Sequence, residues 1–338
     1  MPTVKKNVIK YSYSRLNTFS SCGWKYKLTY VDGHYVYDSN LANELGTLIH
    51  HIEESIALSI MAGEPIDYDS LKRDFIYLNI PKTSPKDTKG GLYGIDILKD
   101  RYHDDFYKTD EHGQSYFTKC QEYLHTGIYR LEKFLRENPN LSLVSVEQYF
   151  MVEYGDNILS GYIDRILYDK DTDEYIIVDI KTKDHPFDDK DLTTPMQFVI
   201  YSIALKSMYN LKDYPTRCIY DLPICDLRQE AGTKGFMMRG LKKLNKMFEG
   251  IQAEEYDPKP SPLCYWCPFS YTNPNQKEEG KKLCCYYSLW KPNGTAKAWE
   301  KMNDWEGIQK HEEVMKKFLT EQQGPGKNIN VVDFPFDF

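Results

Sequence analysis

The 338-residue sequence predicts an α/β fold, with helices gathered around a meander of strands, on three observations. Apolar residues recur at helical spacing at positions 45, 48, 49, 52, 56 and 60. Three segments rich in Val, Ile and Tyr, 143–154, 158–169 and 174–183, are separated by the turn sequences GDN and KDTD. A helical stretch opening at Pro195 then follows, and proline is well placed in a first helical turn.

In chain order, residues 11–30 (YSYSRLNTFSSCGWKYKLTY) read as a capped helix with Ser12 or Ser14 near its start, and 41–61 as a second helix. Residues 62–118 are polar and loop-rich, broken by IPKTSPKDTKGG, before a helical pattern returns over 115–137. The whole of 62–142 therefore reads as a helical insertion. The meander, the helix over 195–209, two further strands within 214–240 and a helix over 236–256 complete a core of residues 143–256. From 257 to 290 the chain is Pro-rich and carries a cysteine pair in DPKPSPLCYWCPF. A charged helix over 295–322 and a glycine-proline linker into NINVVDFPFDF fill 291–338.

Hydrophobic content of 41% and charged content of 28% are ordinary for a soluble globular protein. The N-terminus lacks a continuous apolar h-region, and no run approaches the roughly 18 apolar residues that span a bilayer. These features predict a soluble, intracellular protein with no membrane partner. Its eight cysteines then read as metal ligands rather than disulfides, because reducing compartments keep thiols free. A net charge of −7 argues against nucleic acid held by bulk electrostatics alone, although a local basic groove can still contact phosphates.

The stretch IIVDIKTKDH, residues 176–185, sets a charged pair in an apolar strand. A charge there costs several kcal/mol unless it is paired or binds a metal. Strand residues two apart share a face, so Asp179 and Lys181 project together while Ile180 turns to the core. A short hairpin through DKDTDE brings Asp164 of GYIDR beside Asp179. Carboxylates are hard oxygen ligands suited to Mg²⁺ or Mn²⁺, and a lysine beside them can orient or help deprotonate water.

GYID, VDIKTK and QFVIY in this order resemble the PD-(D/E)XK nuclease superfamily, specifically its RecB-like branch. GTLIH resembles that branch's helical motif, which implies His50, not His51, as a metal ligand beside Asp164, Asp179 and the backbone carbonyl of Ile180. Residues 11–30 resemble its N-terminal motif, and Gln197 and Tyr201, four apart, match its Gln-x3-Tyr motif. The resemblance thus implies a restriction-endonuclease-like core, a mixed central sheet flanked by helices. It also implies catalysis by Asp164, Asp179, Lys181, Gln197 and Tyr201. Glu147, on the first strand, reads equally as a further acidic group or as an exposed strand residue, and is left outside this set.

CYWCPF resembles the cysteine block of the iron-sulfur members, including the AddB subunit and the nucleases of CRISPR adaptation. This implies a 4Fe-4S cluster on Cys22, Cys264, Cys267 and either Cys284 or Cys285, with zinc as the alternative, since both accept four thiolates. The 16 residues between Cys267 and Cys284 exceed the usual gap. Cys120, Cys218 and Cys225 read as small buried hydrophobes. The expected function is a metal-dependent deoxyribonuclease, an exonuclease at DNA ends in recombination, repair or replication. The alternatives are a structure-selective endonuclease and a non-catalytic module that binds DNA or a helicase. The terminal VVDFPFDF reads as a tethered peptide for a replication or recombination partner, or else as a last strand packed on the domain.

Overall fold

The computed structural model describes residues 9–34, 36, 40–82, 90–110, 113–270, 273 and 283–284. The chain divides into two units: Met1–Leu16 with Ser39–Phe248, and Asn17–Asp38 with Glu249–Phe338.

The chain enters through a two-residue strand, β1 (Lys10–Tyr11), and helices α1 (Tyr13–Ser21) and α2 (Gly23–Tyr26), which run into a π-helical turn at Lys27–Val31. The single helix expected over 11–30 is therefore broken. Ser12 caps α1, its hydroxyl accepting from the Arg15 amide at 3.2 Å. Cys22 is extended (φ −164°, ψ 113°), and its sulfur accepts from the Lys25 amide at the start of α2. Gly23 then packs so closely on the Tyr256–Asp257 backbone that a Cβ would lie 2.7 Å from it.

Helix α3 (Leu41–Ala62) matches its expected span. The Asn40 side chain caps it by accepting from the Asn43 amide at 3.0 Å. Leu45, Leu48, Ile49, Ile52 and Ile56 along one side are all buried, each contributing about 1.5–3 kcal/mol of apolar burial. The following segment holds α4 (Tyr68–Tyr77), β2 (Asn79–Ile80), β3 (Leu92–Tyr93), α5 (Ile95–Arg101), α6 (His103–Tyr107), α7 (Tyr116–His125) and α8 (Arg130–Glu137). Phe75, Leu98, Phe106, Tyr123 and Leu131 join α3 in one core. The residues between 62 and 142 thus share a hydrophobic centre with α3.

The meander is β4 (Leu141–Tyr154), β5 (Asn157–Asp169) and β6 (Glu174–Ile180), antiparallel throughout. Strand β6 stops at Ile180, three residues short of the expected end. After it come α9 (Asp189–Thr193) and α10 (Met196–Met208), which cross over to β7 (Arg217–Leu222), parallel to β6. Parallel neighbours require such a helical crossover. β8 (Leu227–Ala231) closes a hairpin with β7, and α11 (Phe236–Gln252) follows. The sheet order is β1-β5-β6-β7-β8, with β4 also paired to β5 and β1 parallel to β5. This is the mixed central sheet flanked by helices that was expected.

Helix α10 buries Phe198, Val199, Ile200, Ile203, Ala204 and Leu205, as a helix covered on more than one side must. In the other unit, a short 3₁₀ turn at Pro262–Trp266 carries the cysteine pair. None of the described helices is long and apolar enough to cross a membrane. The helix expected over 295–322 and the terminal peptide lie outside the described residues.

Candidate active site

Two glycines permit close packing around the strands that carry the candidate residues. Gly46, in the GTLIH stretch of α3, faces Thr182, and a Cβ there would lie 3.2 Å from the Thr182 hydroxyl. Gly161, in GYID, lies across from Phe150, whose ring would stand 3.1 Å from an added Cβ. The first brings α3 close to the end of β6, and the second lets an aromatic ring cover β5.

The β5–β6 register, Arg165 with Val178, sets Asp164 across from Asp179. One Asp164 oxygen accepts from the Ile180 amide at 2.6 Å. Asp179 is fully buried, and its Oδ2 forms an ion pair with Lys181 Nζ at 2.6 Å. Its other oxygen has no hydrogen-bond partner among the described residues. Burial, reinforced by the Asp164 charge, pushes the Asp179 carboxyl up to about 7. Burial likewise raises Asp164, against the pull of His50 and the Ile180 amide. Burial works against the Lys181 charge, but the Asp179 carboxylate outweighs it and raises the ammonium above its ordinary value.

His50 reaches this strand end from α3. Its Nε2 lies 3.2 Å from the Ile180 carbonyl oxygen. Its Nδ1 lies 3.7 Å from Glu147 Oε1 and 3.9 Å from Asp164 Oδ2. Burial disfavours the imidazolium, yet Glu147 and Asp164 together raise its pKa. One ligand atom each from His50, Glu147 and Asp164 lies within 4.8 Å of the others. A nitrogen and two carboxylates at this spacing, with an unpartnered buried carboxylate oxygen on Asp179 nearby, fit a divalent cation. Asp179 is not a member of the trio itself.

Glu147, which the sequence offers equally as a further acidic group or an exposed strand residue and which lies outside the expected set, stands with His50 and Asp164. Val146 pairs with Arg165 and Gln148 with Ile163, so Glu147 stands across from Asp164. Its φ of 44° is left-handed, a conformation that costs a non-glycine residue of order 1–3 kcal/mol and gathers at functional sites. No feature of LVSVEQYF announces that turn of the backbone.

From α10, the Gln197 side-chain amide donates to the Tyr201 hydroxyl at 2.7 Å. Burial, with the Asp179 and Asp164 charges behind it, raises the Tyr201 phenol. Tyr13 of α1 is also raised by burial, a shift that Lys181 opposes and Asp179 reinforces. The N-terminal stretch thus contributes a phenol to this locality, a role the sequence reading left unassigned.

Behind the site lies a buried ionic network. Arg165, next to Asp164 and 1% exposed, pairs with Glu53 of α3 and, at 3.2 Å, with Asp221 of β7. Asp221 also holds Arg130 at 2.9 Å and Arg228 at 3.3 Å, and the Tyr123 hydroxyl donates to Glu53 at 2.9 Å. The backbone of Asp221 pairs with Ile180 and accepts from the Lys181 amide at 2.8 Å. The network therefore grips both neighbours of the strand end.

The cysteines Cys22, Cys264, Cys267 and Cys284 all fall in the second unit. Cys22 accepts from the Lys25 and Lys259 amides at 3.5 Å, and Cys264 from the Ser261 amide at 3.3 Å. Burial raises the Cys264 and Cys267 thiols, and the charge of Cys22 adds to both. Cys284 joins them through a bridge to Ser270 and an amide donating to the Phe269 carbonyl at 2.8 Å. Cys285 lies outside the described residues. Cys120 and Cys218 are buried, and burial pushes the Cys120 thiol up to about 12. Cys225 is half-buried.

Among solved structures, a "Putative exonuclease" from Eubacterium rectale aligns with a TM-score of 0.39 and 12% identity, over 79% of this chain and 91% of that one. The protein SSO0001 aligns with a TM-score of 0.26 and 15% identity, over 76% of this chain and 96% of that one. No curated protein matches the sequence. Residues 10–271, which span the mixed sheet, the histidine of α3 and the paired carboxylates, match the profile of the PD-(D/E)XK nuclease superfamily. With well over half of its length in that match, the chain belongs to the PD-(D/E)XK nuclease superfamily.

Proposed function

We propose that this nuclease is a Mg²⁺- or Mn²⁺-dependent deoxyribonuclease of the RecB-like branch, an intracellular exonuclease acting at DNA ends in recombination, repair or replication. The observation that carries the reading is the meeting of His50, Glu147 and Asp164 beside the buried Asp179–Lys181 pair. His50, Glu147, Asp164, Asp179 and the Ile180 carbonyl would hold the ion. When bound there, a divalent ion lowers the pKa of a water and offsets charge on a phosphodiester.

The other roles belong to the protein's own groups. Lys181, held against Asp179, is positioned to orient the attacking water and to carry positive charge toward the scissile phosphate. Tyr201, fixed by Gln197, keeps its proton and offers a hydroxyl on the α10 side. The ionic network through Arg165 and Asp221 ties β5, which carries Asp164, to β7, whose Asp221 carbonyl accepts from the Lys181 amide.

We further propose that Cys22, Cys264, Cys267 and Cys284 or Cys285 hold a 4Fe-4S cluster, with zinc as the alternative. Backbone amides directed at Cys22 and Cys264 are the hydrogen bonds by which a protein steadies thiolate sulfur. The acidic, aromatic residues 329–338 are proposed to dock a replication or recombination protein.

Digestion of end-labelled single-stranded, duplex and closed circular DNA with Mg²⁺ or Mn²⁺ tests the activity. Progressive loss from ends is the expected result. Cleavage of closed circles would make the protein an endonuclease, and no cleavage of any substrate would leave a non-catalytic binding module.

A further inference from the structure

The hairpin that carries Glu147 and Asp164 also carries an aromatic pair that the proposed chemistry does not use. Tyr149 of β4 and Tyr162 of β5 are direct cross-strand partners, their ring centroids 5.1 Å apart. They are 44% and 56% exposed, and the neighbouring Met151 is 51% exposed. Large apolar side chains gathered on an open strand face are an aggregation hazard and mark contact surfaces. Phe150 and Ile163, whose side chains take the opposite face, are buried, so the alternation is an ordinary one and the rings stand outward by design of the pattern.

Their position relates them to the site. Tyr162 precedes Asp164 by two residues and so projects to the same face of β5, about 7 Å along the strand. Tyr149 likewise lies two residues from Glu147 in β4, so the ring pair and the Glu147–Asp164 pair are neighbours on one hairpin. Bulk charge does not recruit a polyanion to this chain, whose net charge is −7, so uncharged contacts must carry more of the binding. Aromatic faces do this for unpaired bases, irrespective of sequence. Duplex DNA hides its base faces in the stack and cannot use such a platform.

We infer that Tyr149 and Tyr162 form a stacking platform that holds unpaired bases of a single-stranded DNA substrate next to the candidate active site. The inference rests on the nuclease reading and names the substrate class of that site.

Binding of fluorescein-labelled oligothymidylate, followed by anisotropy in EDTA so that no hydrolysis occurs, tests it. The Tyr149→Ala/Tyr162→Ala double variant should bind at least about tenfold more weakly than the unaltered protein. The Tyr149→Phe/Tyr162→Phe variant should bind as the unaltered protein does, which separates stacking from misfolding. A strand of the same length with abasic sites in place of thymidines keeps the phosphates and removes the rings. The unaltered protein should lose affinity for it, and the double alanine variant should bind both strands alike. Affinity of the double alanine variant within about twofold of the unaltered protein would overturn the platform, as would equal binding of thymidine and abasic strands by the unaltered protein. Absence of cleavage with Mg²⁺ or Mn²⁺, with base-dependent binding intact, would instead tell against the nuclease reading and leave the platform standing.

Discussion

His50 Nε2 lies 3.2 Å from the carbonyl oxygen of Ile180, joining two residues 130 positions apart. Through this contact α3 reads the end of β6, at the peptide between the buried Asp179 and the half-exposed Lys181. His51, its neighbour, is rotated by about 100° around the helix. His50→Ala should therefore weaken Mn²⁺ binding by at least the roughly 10–100-fold that losing an outer-shell partner of a metal ligand costs, while His51→Ala leaves it unchanged. Calorimetric titration of both variants reads the difference, and equal affinities would refute the register.

Asp179 gives a prediction with a defined sign. Its carboxyl is raised from an ordinary 3.8 to about 7 in the folded chain. Between those values the folded state holds a proton that the unfolded state has released, so this group's contribution to stability declines as pH rises through the window. Without metal, Asp179→Asn should melt above the unaltered protein at about pH 8 and lose that advantage near pH 4. Added Mn²⁺ should reverse the order at high pH by stabilising only the protein that binds it. DNA hydrolysis by Asp179→Asn, Asp179→Ala and Lys181→Ala should fall by about a hundredfold or more, and activity within about tenfold of the unaltered enzyme would remove these residues from the mechanism.

Arg165 is expected to be a stability residue whose loss is felt at the site. Removing one member of a buried ionic network leaves the others unpaired, at a cost of about 3–5 kcal/mol. Urea denaturation of Arg165→Met should show a loss of that size. Glu53→Gln should cost less in the Arg165→Met background than alone, because the two side chains share one ion pair. Additive losses would mean that the pair contributes nothing as a pair.

The cysteine proposal is read by colour. Anaerobically purified protein should be brown, and Cys22→Ala should be colourless and less stable, since metal binding is coupled to folding. Cys120→Ala, at a buried position outside the four, should keep the colour. One tightly bound zinc in a colourless protein would replace iron by zinc. Full activity with neither metal would make all the cysteines packing residues.

Much of this architecture was legible along the chain because it is local. The period of α3, the two-residue spacing of Asp179 and Lys181 at the end of β6, and the short hairpin that returns Asp164 are properties of a few neighbouring residues. The same holds for Gln197 and Tyr201, one helical turn apart and bonded to each other. Locality also explains the misses. Ser12 and Tyr26 sit in one apolar-polar pattern, yet the chain is extended at Cys22, and the next residue, Gly23, meets the backbone near Tyr256, more than 200 residues away.

What the sequence by itself determined is the α/β order of elements, the spacing of the histidine and carboxylate motifs, and the pairing of a lysine with an aspartate at a strand end. The tertiary structure alone decided that Glu147 joins His50 and Asp164, because that meeting depends on where α3 lies against β4 and on a left-handed φ of 44° that no residue pattern marks. It alone decided that Arg165 is buried, since its charge is tolerable only where Glu53 and Asp221 converge from a helix and a strand far apart in sequence. Local propensity sets which elements form. The desolvation of charge, which depends on every neighbour at once, settles which residues share a site.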